Sequence, residues 1–166
     1  TCVIENLPRI DDVILLQDIL TQLGAEVNFD CKNARMTINA ANLNSYKAPY
    51  EMVRRMRASY YLMGVLLSRF GHCEVAMPGG CPIGARPVDQ HLKGLRSLNA
   101  VIENVGGTYV GYTEGLIGKE VYLDVSSVGA TINIMLAAVK AKGLTTIINA
   151  AKEPHVVDLA NFLSSM

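Results

Sequence analysis

The chain has 166 residues, of which 50% are hydrophobic and 18% charged, enough apolar material for a buried core and too much for a disordered segment. Fifteen Lys and Arg balance fifteen Asp and Glu, which argues against a nucleic-acid binder working through bulk charge. The longest strongly apolar run, "ASYYLMGVLL" from Ala58 to Leu67, is far short of the roughly 20 residues a membrane helix needs, and no signal peptide is recognised.

Short β-branched runs alternate with longer helical patterns along the chain. "CVIENL" reads as a strand. "DDVILLQDILTQLGA" reads as a helix with Val13, Leu16, Leu20 and Leu23 on its apolar face and Gly24 as its stop. "EVNFD" and "RMTINA" are strands. Pro49 then opens a long helix whose stripe is Val53, Met56, Tyr60, Met63 and Leu67, ending at Gly71.

The order then recurs. "CEVAM" is a strand, and Pro87 is expected at the first helical position before "VDQHLKGLRSL". Strands "AVIEN", "TYVGYT" and "EVYLDV" precede a helix from about Gly129 to Lys142, closed by Gly143. "TTIINA" and "PHVVDLANFLSSM" begin a third round. Leu20 and Leu23 match Leu95 and Leu98, while Ala58, Ser59 and Gly71 match Ala130, Thr131 and Gly143, a period of about 72 to 75 residues. Repeat units are therefore expected at about 1–72 and 73–143, with a third starting at 144–166. The expected fold class is α/β (α+β) with mixed strand pairing, and the incomplete third round leads us to expect a piece of a longer protein, cut at both ends.

The densest chemistry is in "PGGCPIGARPVDQH", residues 78–91. Gly79, Gly80 and Gly84 allow unusual backbone angles or close approach to a ligand. The following helix mouth carries partial positive charge, and Arg86 adds a guanidinium suited to carboxylate or phosphate. Cys81 beside them would feel a potential that favours its thiolate. The alternative is a glycine-rich turn with an inert thiol. Cys2, Cys31 and Cys73 lie in or beside strand patterns and read as inert; with no C-x-x-C spacing, all four cysteines suit a reduced, cytoplasmic protein, a disulfide pairing being the alternative.

That loop resembles the active-site loop of the UDP-N-acetylglucosamine enolpyruvyl transferases. The likeness runs on through "APYEMVRRMRASYYLMG", "SSVGAT" and "NAAKEPHVVDLANFL", so it covers essentially the whole chain. The shikimate-pathway enolpyruvyl transferases share the fold and lack the cysteine loop. The resemblance implies two lobes, each a pseudo-threefold arrangement of βαβαββ units (an inside-out α/β barrel), with this chain forming most of one lobe. The missing second lobe would supply an aspartate base and a further arginine, and a Lys-Asn pair would precede Thr1. The segment alone is therefore expected to be inactive.

The implied reaction moves the enolpyruvyl group of phosphoenolpyruvate to the 3′-hydroxyl of UDP-N-acetylglucosamine, releasing phosphate in the first committed step of peptidoglycan synthesis. No cofactor, metal, nucleic acid or membrane is implied. Cys81 matches the family's cysteine, either a general acid or a covalent attachment point, and the thiol that fosfomycin alkylates. Arg57 and Arg86 match arginines that meet phosphoenolpyruvate and lie at the nucleotide-sugar site; "RRMR" by itself reads as a solvated charge run. Pro87, Val88, Asp89 and Gln90 match the uracil-binding turn, with His91 one helical turn onward and Gln90 standing where leucine is common. Ser127, Val128 and Gly129 match the diphosphate site, although the residues alone read as a helix N-cap. Val125 replaces a lysine found in some members. Two other readings stay open: a non-catalytic nucleotide-sugar or anion-binding module, and a thiol redox protein using Cys81.

Overall fold

The computed structural model describes residues 1–77 and 88–166. Its elements are β1 (Cys2–Ile4), α1 (Asp11–Gln22), β2 (Glu26–Asp30), β3 (Arg35–Asn39), α2 (Tyr50–Val53), a 3-10 turn (Arg57–Tyr60) and α3 (Tyr61–Phe70). They continue with β4 (His72–Ala76), α4 (Asp89–Ser97), β5 (Val101–Val105), β6 (Thr108–Tyr112), β7 (Glu120–Tyr122), α5 (Val128–Ala138), β8 (Thr146–Ile148) and α6 (Pro154–Ser165). No helix among the described residues is long and apolar enough to cross a membrane.

Strand pairing is mixed, as the alternation of elements predicts. One antiparallel sheet has the order β1-β3-β2, a second has the order β4-β6-β5, and β7 pairs with β8 in parallel. The two three-stranded sheets thus share one topology, a strand, a helix and a hairpin whose second strand returns to the middle. The second hairpin turns on Gly106 and Gly107, both at positive φ (59° and 83°), the conformation a tight two-residue connection between Val105 and Thr108 requires.

Helices α1 and α4 also stop alike. Gly24 and Asn99 both take positive φ, and the next residue reaches back in each case: Ala25 N–H donates to the Leu20 carbonyl and Ala100 N–H to that of Leu95. The left-handed residue frees the backbone to turn while satisfying the last helical carbonyls.

Several boundaries differ from the sequence expectation. The helix expected from Pro49 to Gly71 is interrupted: Met56 is extended (φ −124°, ψ 117°), and a 3-10 turn follows before α3. Buried Ser59 stabilises the break by donating its hydroxyl to the Val53 carbonyl at 2.9 Å. All five stripe residues, Val53, Met56, Tyr60, Met63 and Leu67, are nevertheless buried. On α1 the inward face is Leu15, Ile19 and Leu23, whereas Leu16 is 39% exposed. The run Ile14-Leu15-Leu16 is apolar throughout, so periodicity could not choose between adjacent phases. Helix α4 begins at Asp89 with Val88 as its cap, later than expected. Helix α5 ends at Ala138, short of Lys142.

Helix α5 packs against both α3 and α4. Two glycines permit the close approach. A Cβ on Gly94 of α4 would collide with the Ile134 side chain, and one on Gly64 of α3 would collide with the side-chain and backbone oxygens of Asn133. Burial of Met63, Leu66, Leu67, Leu95, Leu98 and Ile134 fixes this three-helix layer through the hydrophobic effect. The layer in turn brings the 3-10 turn and the start of α4 to the first turn of α5.

Candidate functional site

The site grows from the N-terminus of α5. Ser127 is extended (φ −118°, ψ 115°), and its hydroxyl accepts from the Ala130 N–H at 3.3 Å. Thr131 donates its hydroxyl to the Ser127 carbonyl at 2.8 Å. The N-cap reading of "SSVGAT" is therefore realised in the structure. First-turn N–H groups of a helix lack intrahelical partners, so the mouth at Val128 and Gly129 carries the positive end of the dipole.

His91 and Tyr60 converge on that turn. A Cβ on Gly129 would stand 2.9 Å from His91 Cε1 and Nε2 and 3.0 Å from Tyr60 Oη. The two rings meet edge-on with centroids 4.5 Å apart. The guanidinium carbon of Arg57 lies 5.6 Å from the centre of the Tyr60 ring. Arg57, His91, Ser127, Val128 and Gly129, scattered over three segments of sequence, thus share one locality.

Asn133 ties it together and was missed by sequence reasoning. It is fully buried on α5. Its Oδ1 accepts from the Gly64 N–H at 2.9 Å, and its Nδ2 donates to the Tyr60 carbonyl at 3.0 Å. The same Nδ2 lies 3.2 Å from His91 Nδ1. Its one signal in the sequence is a lone amide inside the apolar run "ATINIMLAA". Burial, and then the nearby positive charge of Arg57, pull the His91 pKa down to about 4, against the opposing pull of Asp89, so the ring is neutral at physiological pH.

The start of α4 holds a second polar cluster. Gln90 is 7% exposed; its Nε2 donates to Asp89 Oδ2 at 3.0 Å and Asp124 Oδ2 at 3.1 Å, while its Oε1 accepts from the Asp124 N–H at 2.9 Å. Lys93 donates to Asp124 Oδ1 at 2.6 Å. Hydrogen bonds from Lys93 and then Gln90 hold the Asp124 carboxyl below the usual carboxylate range. Val88 is half-buried and Asp89 exposed at the helix start, and Val125 is exposed just after Asp124.

Cys81, Arg86 and Pro87 lie outside the described residues, as does the expected proximity of thiol and guanidinium. The remaining cysteines are free thiols. Cys73 is fully buried on β4, where desolvation pushes its pKa up to about 12, so it is inert as expected.

Solved structures define the class. The enolpyruvyl transferase NikO from Streptomyces tendae superposes with a TM-score of 0.84 at 23% identity, covering 98% of this chain and 38% of that one. EPSP synthase from Acinetobacter baumannii gives 0.71 at 20% identity over 96% of this chain. The fold is therefore that of the enolpyruvyl transferases. The family model for EPSP synthase (3-phosphoshikimate 1-carboxyvinyltransferase) matches residues 1–166, and the chain belongs to that family. Among curated relatives, the UDP-N-acetylglucosamine 1-carboxyvinyltransferase of Clostridium botulinum is 52% identical over 165 residues, 99% of this chain. A protein of Bacillus subtilis, UDP-N-acetylglucosamine 1-carboxyvinyltransferase 2, is 48% identical over 163 residues. The chain spans 39% of the length of the first relative and 38% of the second.

Proposed function

We propose that this chain forms most of the cysteine-bearing lobe of a UDP-N-acetylglucosamine 1-carboxyvinyltransferase, which transfers the enolpyruvyl group of phosphoenolpyruvate to the sugar 3′-hydroxyl. The observation that carries the reading is 52% identity to a protein of that name across 99% of this chain. The gathering of Arg57, His91 and the Ser127–Gly129 turn around one helix mouth supports it, because a diphosphate needs N–H donors and phosphoenolpyruvate a fixed cation.

In this proposal Ser127, Val128 and Gly129 hold the diphosphate, and the Pro87–Gln90 turn with His91 receives the uridine side of the nucleotide. Arg57 and Arg86 bind the phosphate and carboxylate of phosphoenolpyruvate. The sugar oxygen attacks C2 of phosphoenolpyruvate while C3 gains a proton; loss of a C3 proton and departure of phosphate then restore the double bond. Cys81 delivers the first proton, or its thiolate adds to C2 as C3 is protonated and leaves again as the sugar oxygen takes its place. The other lobe of the same protein supplies the base for the sugar hydroxyl and completes a cleft from which water is excluded.

The test is made on the full-length protein. Phosphate release should require both substrates, and fosfomycin should add covalently to Cys81 by mass spectrometry. Arg57→Ala should lower kcat/KM by about 100-fold or more, as expected for loss of a charge-stabilising group. Binding of UDP-N-acetylglucosamine without phosphate release would overturn the transferase reading in favour of a binding module.

A further inference from the structure

A buried primary amide in an apolar helix needs a reason, because each of its polar atoms must find a partner to offset desolvation. Asn133 finds partners on three other segments: the Gly64 N–H of α3, the Tyr60 carbonyl of the 3-10 turn, and the His91 ring of α4.

The chemistry of those partners leaves no freedom. A backbone N–H can only donate, so the atom facing Gly64 is Oδ1. A carbonyl can only accept, so the atom facing Tyr60 is Nδ2. The second Nδ2 proton then points to His91 Nδ1, 3.2 Å away, and that ring nitrogen must present its lone pair. The ring proton is consequently on Nε2. The Nε2–Cε1 edge is the one that meets the first turn of α5 beside Gly129, next to the Tyr60 hydroxyl.

We propose that Asn133 is a positioning residue that locks His91 as the neutral Nε2–H tautomer, so that the ring offers a hydrogen-bond donor at the α5 mouth where a nucleoside diphosphate sits. The ligand half of this statement rests on the proposed nucleotide-sugar reading; the tautomer half stands on the free protein. Protonating Nδ1 would set two donors against each other, which reinforces what burial and the Arg57 charge already impose. Asp89 pulls the other way, and the Tyr60 ring meets the imidazole edge-on without carrying charge.

The experiment uses full-length protein with 15N-labelled histidine. In the free wild type, the His91 ring should show the Nε2–H pattern from pH 5.5 to 8 without titrating. Adding UDP-N-acetylglucosamine should shift its Nε2 resonance. Asn133→Asp places an acceptor against Nδ1 and should move the proton there; KM for UDP-N-acetylglucosamine should rise about tenfold or more while kcat changes much less. A wild-type ring protonated on Nδ1, or titrating near its ordinary value, overturns the tautomer lock. An Nε2 signal unmoved by UDP-N-acetylglucosamine, or an unchanged KM in a folded Asn133→Asp protein, overturns the positioning role. These readouts separate this idea from the proposed activity, since absence of phosphate release would sink the latter while the free protein still reports the tautomer.

Discussion

Gln90 and Asp124, on α4 and just after β7, bind each other twice: the amide nitrogen donates to the carboxylate at 3.1 Å, and the Asp124 N–H donates to the amide oxygen at 2.9 Å. A third bond from Gln90 reaches the Asp89 carboxylate, so one side chain holds two carboxylates and a backbone amide in place. Leucine at this position would keep the volume and lose every one of these bonds. Gln90→Leu should therefore destabilise the full-length protein by about 1–3 kcal/mol, read as a lower denaturant midpoint, with the Asp124 N–H left unpaired. An unchanged midpoint would show that the network contributes nothing net.

Gly64 meets Asn133 with no room for a side chain. Gly64→Ala has a favourable helix propensity, roughly 1 kcal/mol better than glycine in an exposed helix interior. Overpacking of a buried contact costs about 1–3 kcal/mol, and here it also displaces a buried amide with three partners, so the collision should win. The expected outcome is a lower Tm together with a disturbed His91 ring environment. A higher Tm would mean that α3 and α5 separate easily.

Acid should weaken the fold through His91. Its pKa is about 4 in the folded protein against 6.5 ordinarily, so folding favours the neutral ring. The associated stability is fully present above about pH 6.5 and is lost as pH falls through about 4, a contribution of about 3 kcal/mol at full extent. Denaturation of wild type and His91→Gln compared at pH 7.5 and 4.5 isolates it: the wild type should lose more stability. Equal losses would place the ring in an ordinary solvated environment.

Much of this molecule was legible from residue order. Element sequence, mixed pairing and the buried stripe from Val53 to Leu67 follow from periods of two and 3.6 and from Gly and Pro punctuation. The repeat was legible in the matched Leu20/Leu23 and Leu95/Leu98 pairs, whereas the matching ends of α1 and α4 were not, because Gly24 and Asn99 build the same left-handed turn from different residues. The phase of α1 was not legible, because Ile14, Leu15 and Leu16 are equally apolar and only the neighbours select which faces inward. Nor was the break at Met56, since its stabilising bond from Ser59 to Val53 is specific to the folded chain.

The site divides the same way. The family resemblance singled out Arg57, His91 and the Ser127–Gly129 turn one by one; by residue type alone, "RRMR" reads as a solvated charge run and "SSVGAT" as a helix N-cap. Their shared locality, and the tautomer that His91 must adopt there, were settled only when α3 and α4 closed on α5. Asn133 lies 42 residues from His91 in sequence, and hydrogen-bond direction is a property of pairs that only packing brings within reach.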